Sequence, residues 1–174
     1  MARLRMIAAF ALLSGCSQGV GTAPHQDELR GGFTAFLPER SSMFGAGPEA
    51  PIRSVLATSD EWEMLWGQLT ANELPVRPAP DIDFSRFSLV VASRGRVSDS
   101  GHSIVIQAVE DRPDSVVIHL KEIEYGGLCT KLLQHGYAVA MGLVAKSSKP
   151  YLFSVTQESR GCGADSTSSY TPPE

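Results

Sequence analysis

The sequence predicts an α+β domain: a mainly antiparallel β-sheet with one N-terminal amphipathic helix packed on it. Three observations carry that expectation. Only one segment, beginning at Thr58, combines helical spacing with a capping signature. The apolar runs after it are short and bounded by turn residues, the pattern of strands joined by tight connections. A helix followed by a run of strands, without βαβ alternation, belongs to the α+β class.

The elements follow in order. Ile52 to Thr58 reads as a first strand. Thr58-Ser59-Asp60-Glu61 fits a capping box, in which the first and fourth side chains satisfy backbone donors reciprocally. Trp62, Leu65, Trp66 and Leu69 then recur at i, i+3, i+4 and i+7, which puts them on one helix face. That stripe serves a core; Trp62 and Trp66 are also the candidates for a surface or pocket contact. The helix should stop before Pro75. Pro75, Pro78 and Pro80 impose an extended connection, because proline lacks a donor and disfavours helix in the residue before it.

Strands make up the remainder. Phe87 to Ala92 holds the apolar run Leu89-Val90-Val91, suited to a central strand. Arg94-Gly95-Arg96 and Ser98 to Gly101 read as a turn region. Ile104 to Val109 is apolar on both alternating faces. Asp111-Arg112-Pro113-Asp114 signals a turn, since proline presets φ there. Val116, Ile118 and Leu120 alternate with Val117, His119 and Lys121, which fits a half-exposed strand with His119 toward solvent. Tyr137 to Ala145 and Tyr151 to Thr156 complete the set.

The N-terminus is the most informative stretch. Arg3 and Arg5 precede the apolar run Met6 to Leu13, and Leu13-Ser14-Gly15-Cys16 ends it. That order is the layout of a secretory signal. A cysteine directly after Leu-Ser-Gly resembles a bacterial lipoprotein signal, which implies that Cys16 becomes the lipidated first residue of the mature chain. An ordinary cleaved signal is the next reading. A membrane-spanning helix needs about 20 apolar residues, and this run is too short for one. Ser17 stands where aspartate would signal inner-membrane retention, so the expected site is the cell envelope, at the periplasmic face of the outer membrane. The partner there is the membrane, held through the lipid on Cys16.

These readings divide the chain into a signal peptide (1–15), a flexible tether (16–50), the domain (51–158) and a mobile tail (159–174) stapled through Cys162. Phe33, Phe36, Leu37 and Phe44 interrupt the Gly-, Ser- and Pro-rich tether and leave open a short docked strand within it or docking on the domain surface. Losing residues 1–15 takes the two positive charges of Arg3 and Arg5 from the formal −4 and leaves −6. A mildly acidic chain without a Lys/Arg run argues against nucleic acid, whose phosphates demand clustered cations. Hydrophobic residues at 43% suffice for a real core.

With Cys16 assigned to lipid, Cys129 and Cys162 remain. In an oxidising envelope an even pair reads as a disulfide. Closing a loop of about 33 residues contributes roughly 3–4 kcal/mol on the chain-entropy model. Two independent thiols are the other reading.

Catalytic patterns are thin. Gly15-Cys16-Ser17-Gln18-Gly19 matches a nucleophile elbow in letters but spans the cleavage site and lacks the strand–turn–helix setting. His119, Cys129 and His135 could form a metal or thiol–imidazole site only if Cys129 were unpaired. Asp81 and Asp83 offer too few oxygens for calcium and suit turn capping. Gly126-Gly127 lacks the lysine and context of a phosphate loop. No metal, no cofactor and no enzymatic role is expected.

Four motifs in order are similar to one family. They are Ser59-Asp60-Glu61-Trp62 with Trp66, Asp83-Phe84-Ser85 with Leu89-Val90-Val91, Ser100-Gly101-His102-Ser103-Ile104, and Lys149-Pro150-Tyr151-Leu152. Together they resemble the PrcB-like C-terminal domain, over about residues 52–157. Gly101-His102 stands where that family has Gly-Gly-Tyr, no proline follows near Glu122 to Tyr125, and Cys129 and Cys162 lie outside its pattern. The resemblance implies an accessory role, stabilising or assembling a protease complex, and carries no catalytic residue. The expected function is therefore a non-enzymatic envelope lipoprotein that binds or stabilises a partner protein. A small-ligand or envelope-polymer binding module is the alternative.

Overall fold

Period-2 alternation in two strands accounts for most of the architecture. The structure, a computed structural model, describes residues 32–36 and 44–162. Among them are strands β1 (Phe33–Ala35) and β2 (Ile52–Leu56), helix α1 (Ser59–Leu69), and strands β3 (Phe87–Val97), β4 (His102–Asp111), β5 (Val116–Tyr125), β6 (Gly136–Ala145) and β7 (Tyr151–Arg160). Leu89, Val90, Val91 and Ala92 of β3 are all without exposure. Successive strand residues point to opposite faces, so a continuous apolar run needs cover on both sides. Leu89 and Val91 pack with the helix residues Trp62, Leu65, Trp66 and Leu69. Val90 and Ala92 pack instead with Ile104, Ile118 and Leu120 of the strands opposite. β6 divides the same way, with Val139, Met141 and Leu143 toward the helix and Ala138, Ala140 and Val144 away from it.

The fold is sheet-dominated α+β, but the strands do not form one sheet. They separate into a four-stranded antiparallel sheet, β1-β6-β3-β2, and a three-stranded sheet, β4-β5-β7. The expectation of a single sheet is corrected by the double-sided burial of β3 and β6. In the second sheet β5 and β7 run parallel, from Val116↔Tyr151 to Tyr125↔Arg160. A parallel pair needs a crossover, and β6, lying in the other sheet, supplies it.

A second correction concerns Arg94-Gly95-Arg96, expected as a turn. These residues belong to β3, whose pairing with β6 shifts register between Ser93 and Arg96. Gly95 adopts φ +75°, and a Cβ there would lie 2.5 Å from the Glu49 carbonyl oxygen. Such a bulge bends a strand without ending it. The Gly95 amide donates to Ser93 Oγ at 3.0 Å and the Arg96 amide to the Glu49 carbonyl at 3.1 Å.

Helix α1 is fixed at its start by a complete capping box. The Glu61 amide donates to Thr58 Oγ1 at 3.3 Å, and Glu61 Oε2 accepts from the Thr58 and Ala57 amides at 3.1 and 2.9 Å. Those donors, Ala57 first, hold the Glu61 carboxyl below its ordinary range. The Pro-rich connection then passes over the helix and receives both indoles. Trp62 Nε1 donates to the Pro80 carbonyl at 2.8 Å and Trp66 Nε1 to the Arg77 carbonyl at 2.9 Å.

Described residues before 51 also pack on the sheet. β1 pairs with β6, Phe33 opposite Val144. Phe36 is buried and meets Trp62 edge-on with ring centroids 5.5 Å apart. Phe44 is buried too, and its amide donates to the Tyr137 carbonyl at 3.0 Å. Leu37 lies outside the described residues, as do residues 1–31 with Cys16 and the tail from 163 onward.

Candidate functional site

One end of the fold gathers a cavity, exposed leucines and the Cys129–Cys162 pair. The last residues of β3, β5 and β7 and the first of β4 and β6 meet there. Residues 126–135 connect β5 to β6 across this end. Their backbone is tied down rather than left to solvent. The Gly126 amide donates to the Arg160 carbonyl at 2.8 Å and the Cys129 amide to the Gly126 carbonyl at 3.0 Å. The Ser100 amide donates to the Leu132 carbonyl at 3.0 Å, and the Leu132 amide donates to Ser100 Oγ at 2.9 Å. Cys129 and Cys162 lie at disulfide distance, with sulfurs 2.10 Å and Cα atoms 4.9 Å apart. The pair joins the loop to the residues just past β7.

The side chains of this tethered loop face outward. Leu128 is 89% exposed, Leu132 68% and Leu133 90%. Beside them is a cavity of about 220 Å³ lined by Phe44, Gly45, Ser100, Leu132, Gln134, His135 and Gly136. The turn before β4 forms its neighbouring wall. Asp99 Oδ1 accepts from the Gly101 amide at 2.7 Å, and with Lys131 and His102 close by its carboxyl is held below the ordinary range, chiefly by that amide. His102 Nε2 sits 3.7 Å from the same oxygen, while its Nδ1 is buried with no hydrogen-bond partner among the described residues.

The residues singled out in the sequence do not converge on a reactive centre. Trp62 and Trp66 are 2% and 5% exposed and belong to the helix–sheet core. Their candidacy as surface or pocket contacts is corrected: the Pro-rich connection and Phe36 cover one indole, and Arg77 lies over the other with its guanidinium carbon 5.7 Å from the ring. His119 is half-buried on β5, its Nε2 3.3 Å from Glu110. His135 lines the cavity, and Cys129 is paired with Cys162, so the three do not meet as a metal or thiol–imidazole set. Asp83 works as a turn cap, its Oδ1 accepting from the Ser85 amide at 3.0 Å and the Ser85 hydroxyl at 2.5 Å. That hydroxyl, above all, holds the Asp83 carboxyl below its ordinary range. Among the described residues no group of three or more His, Cys, Asp or Glu side chains could hold a metal ion. None of their helices is long and apolar enough to cross a membrane.

The leucine loop itself was not legible as a feature. Leu128, Leu132 and Leu133 follow neither period 2 nor period 3.6. Three leucines within six residues beside a cysteine, outside any predicted strand, were the available signal.

No family model, no curated protein and no solved structure matches this chain.

Proposed function

We propose that this chain is a non-enzymatic, lipid-anchored protein of the bacterial cell envelope that binds or stabilises a partner protein. Leu13-Ser14-Gly15-Cys16, behind two arginines and a short apolar run, is the observation that carries the reading. Cys16 is the anchor, and Ser17 after it directs the protein to the periplasmic face of the outer membrane. The pairing of Cys129 with Cys162 is the arrangement an oxidising compartment favours. The resemblance to the PrcB-like C-terminal domain points to a protease complex as the partner.

The sheet topology supports a protein partner. Among the described residues β7, ten residues long, stands at one edge of its sheet, bonded to β5 alone in the strand order. An edge of that length suits addition of a strand from another chain. A second reading, a small-ligand or envelope-polymer binding module, draws on the cavity beside His135. Its volume of about 220 Å³ lies below the roughly 300–1,000 Å³ usual for ligand pockets, and the two indoles that would have served it are in the core.

The test is co-purification of the tagged full-length chain from detergent-extracted membranes of its own host. A single protein at near-equal stoichiometry, retained at high salt, supports the partner reading and identifies the function. A chain that emerges alone and monomeric, with cell-wall polymer or a small molecule attached, replaces it with the binding-module reading.

A further inference from the structure

We propose that the loop of residues 126–135 docks on an anionic phospholipid bilayer, with Leu128, Leu132 and Leu133 entering the head-group boundary. The inference rests on the anchored reading given above. Three leucines exposed by 68–90% on one short loop form an apolar surface that water disfavours. Leu128 and Leu133 stand out from the fold, Leu132 also lines the cavity beside His135, and the loop contains no aromatic residue and no arginine. Protein interfaces concentrate their energy in Trp, Tyr and Arg, with leucine under-represented; membrane-surface elements set Trp, Phe or Leu against Lys or Arg, and this loop offers leucines beside Lys131.

Charge and reach agree with that occupant. In a chain of 19 acidic residues, the loop carries Lys131 and no carboxylate. Asp99, in the turn beside the loop, accepts from the Gly101 amide and lies close to Lys131. Part of the loop's backbone is already paired within the protein. Ser100 and Leu132 satisfy one another, Gly126 is bonded to Arg160, and the Cys129–Cys162 pair pins the segment.

Gly32, the first described residue, precedes β1, which pairs with the far end of β6 from this loop. Ten residues of β6 span about 30 Å. Gly32 is sixteen residues on from Cys16, a maximum reach of about 55 Å. A lipid on Cys16 and the leucine loop can therefore meet the same bilayer.

The experiment uses the full-length chain purified from its host's membranes, as the parent and as Leu133→Trp. Each is reconstituted into vesicles of phosphatidylethanolamine and phosphatidylglycerol with brominated acyl chains. The expected result is a blue-shifted extra emission from L133W that bromolipid quenches, while Trp62 and Trp66 in the parent keep their intensity. An extra emission that stays at the aqueous wavelength and is unquenched overturns the proposal and leaves the Cys16 anchor intact. Shielding of residue 133 by a co-purifying protein instead of lipid overturns it as well. Intact mass on the same sample shows whether Cys16 carries lipid. If it does not, the anchored reading falls, while the parent and L133W signals still report on the loop.

Discussion

Ser100 and Leu132 clasp each other, the Ser100 amide donating to the Leu132 carbonyl at 3.0 Å and the Leu132 amide donating back to the Ser100 hydroxyl at 2.9 Å. The two residues are 32 positions apart, and their exchange joins the turn before β4 to the leucine loop. Ser100→Ala removes the acceptor and keeps the turn. The expected loss is about 1 kcal/mol, local to the loop. Hydrogen exchange should quicken around residue 132 while the strands keep their protection. Uniform acceleration through β5 and β6 would show that the clasp supports the whole domain rather than the loop.

Trp62 joins the helix to two other parts of the molecule, the Pro80 carbonyl and the Phe36 ring, and lies beside Trp66 of its own helix. Trp62→Ala should destabilise the domain by roughly 3–5 kcal/mol, since it opens a large cavity. Trp62→Phe keeps most of the volume and should cost less, the remainder being the indole hydrogen bond. Urea denaturation of both variants gives the comparison. Equal losses would mean that the hydrogen bond, not ring volume, sets the contribution.

The Cys129–Cys162 pair has a sequence separation of 33. Replacing both by serine should lower stability by about 2–4 kcal/mol. The exported protein should show no thiol to a titrating reagent until it is reduced. Two thiols reacting without reductant would contradict the pairing.

Glu158 on β7 accepts hydrogen bonds from Arg160 and from Lys121 of β5, which lower its pKa from the ordinary 4.5 to about 2. A depressed carboxyl pKa contributes stability that is present above its unfolded value and lost as pH falls through the folded one. Glu158→Gln should therefore melt below the parent at neutral pH. The gap should close as pH drops from 4.5 towards 2. A gap that persists unchanged through that range would assign the effect to packing instead of charge.

Much of the fold was written in local patterns, and what escaped was non-local. The Leu89-Val90-Val91 run announced burial, yet alternation alone does not say that its faces meet different layers, a helix on one side and a sheet on the other. Parallel pairing of β5 with β7 depends on β6 crossing in the other sheet, a relation among three strands that no single segment encodes. Gly95 between two arginines read as a turn because glycine favours positive φ. Its actual role is to admit the Glu49 and Ala50 backbone to a bulged strand. The site was less legible still. Trp62 and Trp66 drew attention through their chemistry, but their spacing had already placed them in a core stripe. Whether Leu128, Leu132 and Leu133 face water depends on Ser100 and Cys162, which are distant in sequence.

Anchoring through Cys16 is the claim on which both functional proposals turn. The most direct measurement is the intact mass and N-terminal fragmentation of the chain recovered from its host's membranes, beside Cys16→Ala. The account predicts a mature chain that begins at Cys16 and carries acyl mass on it, absent from the variant, which should also leave the lipidated membrane fraction. A mature chain that begins elsewhere, or carries an unmodified Cys16, would contradict it.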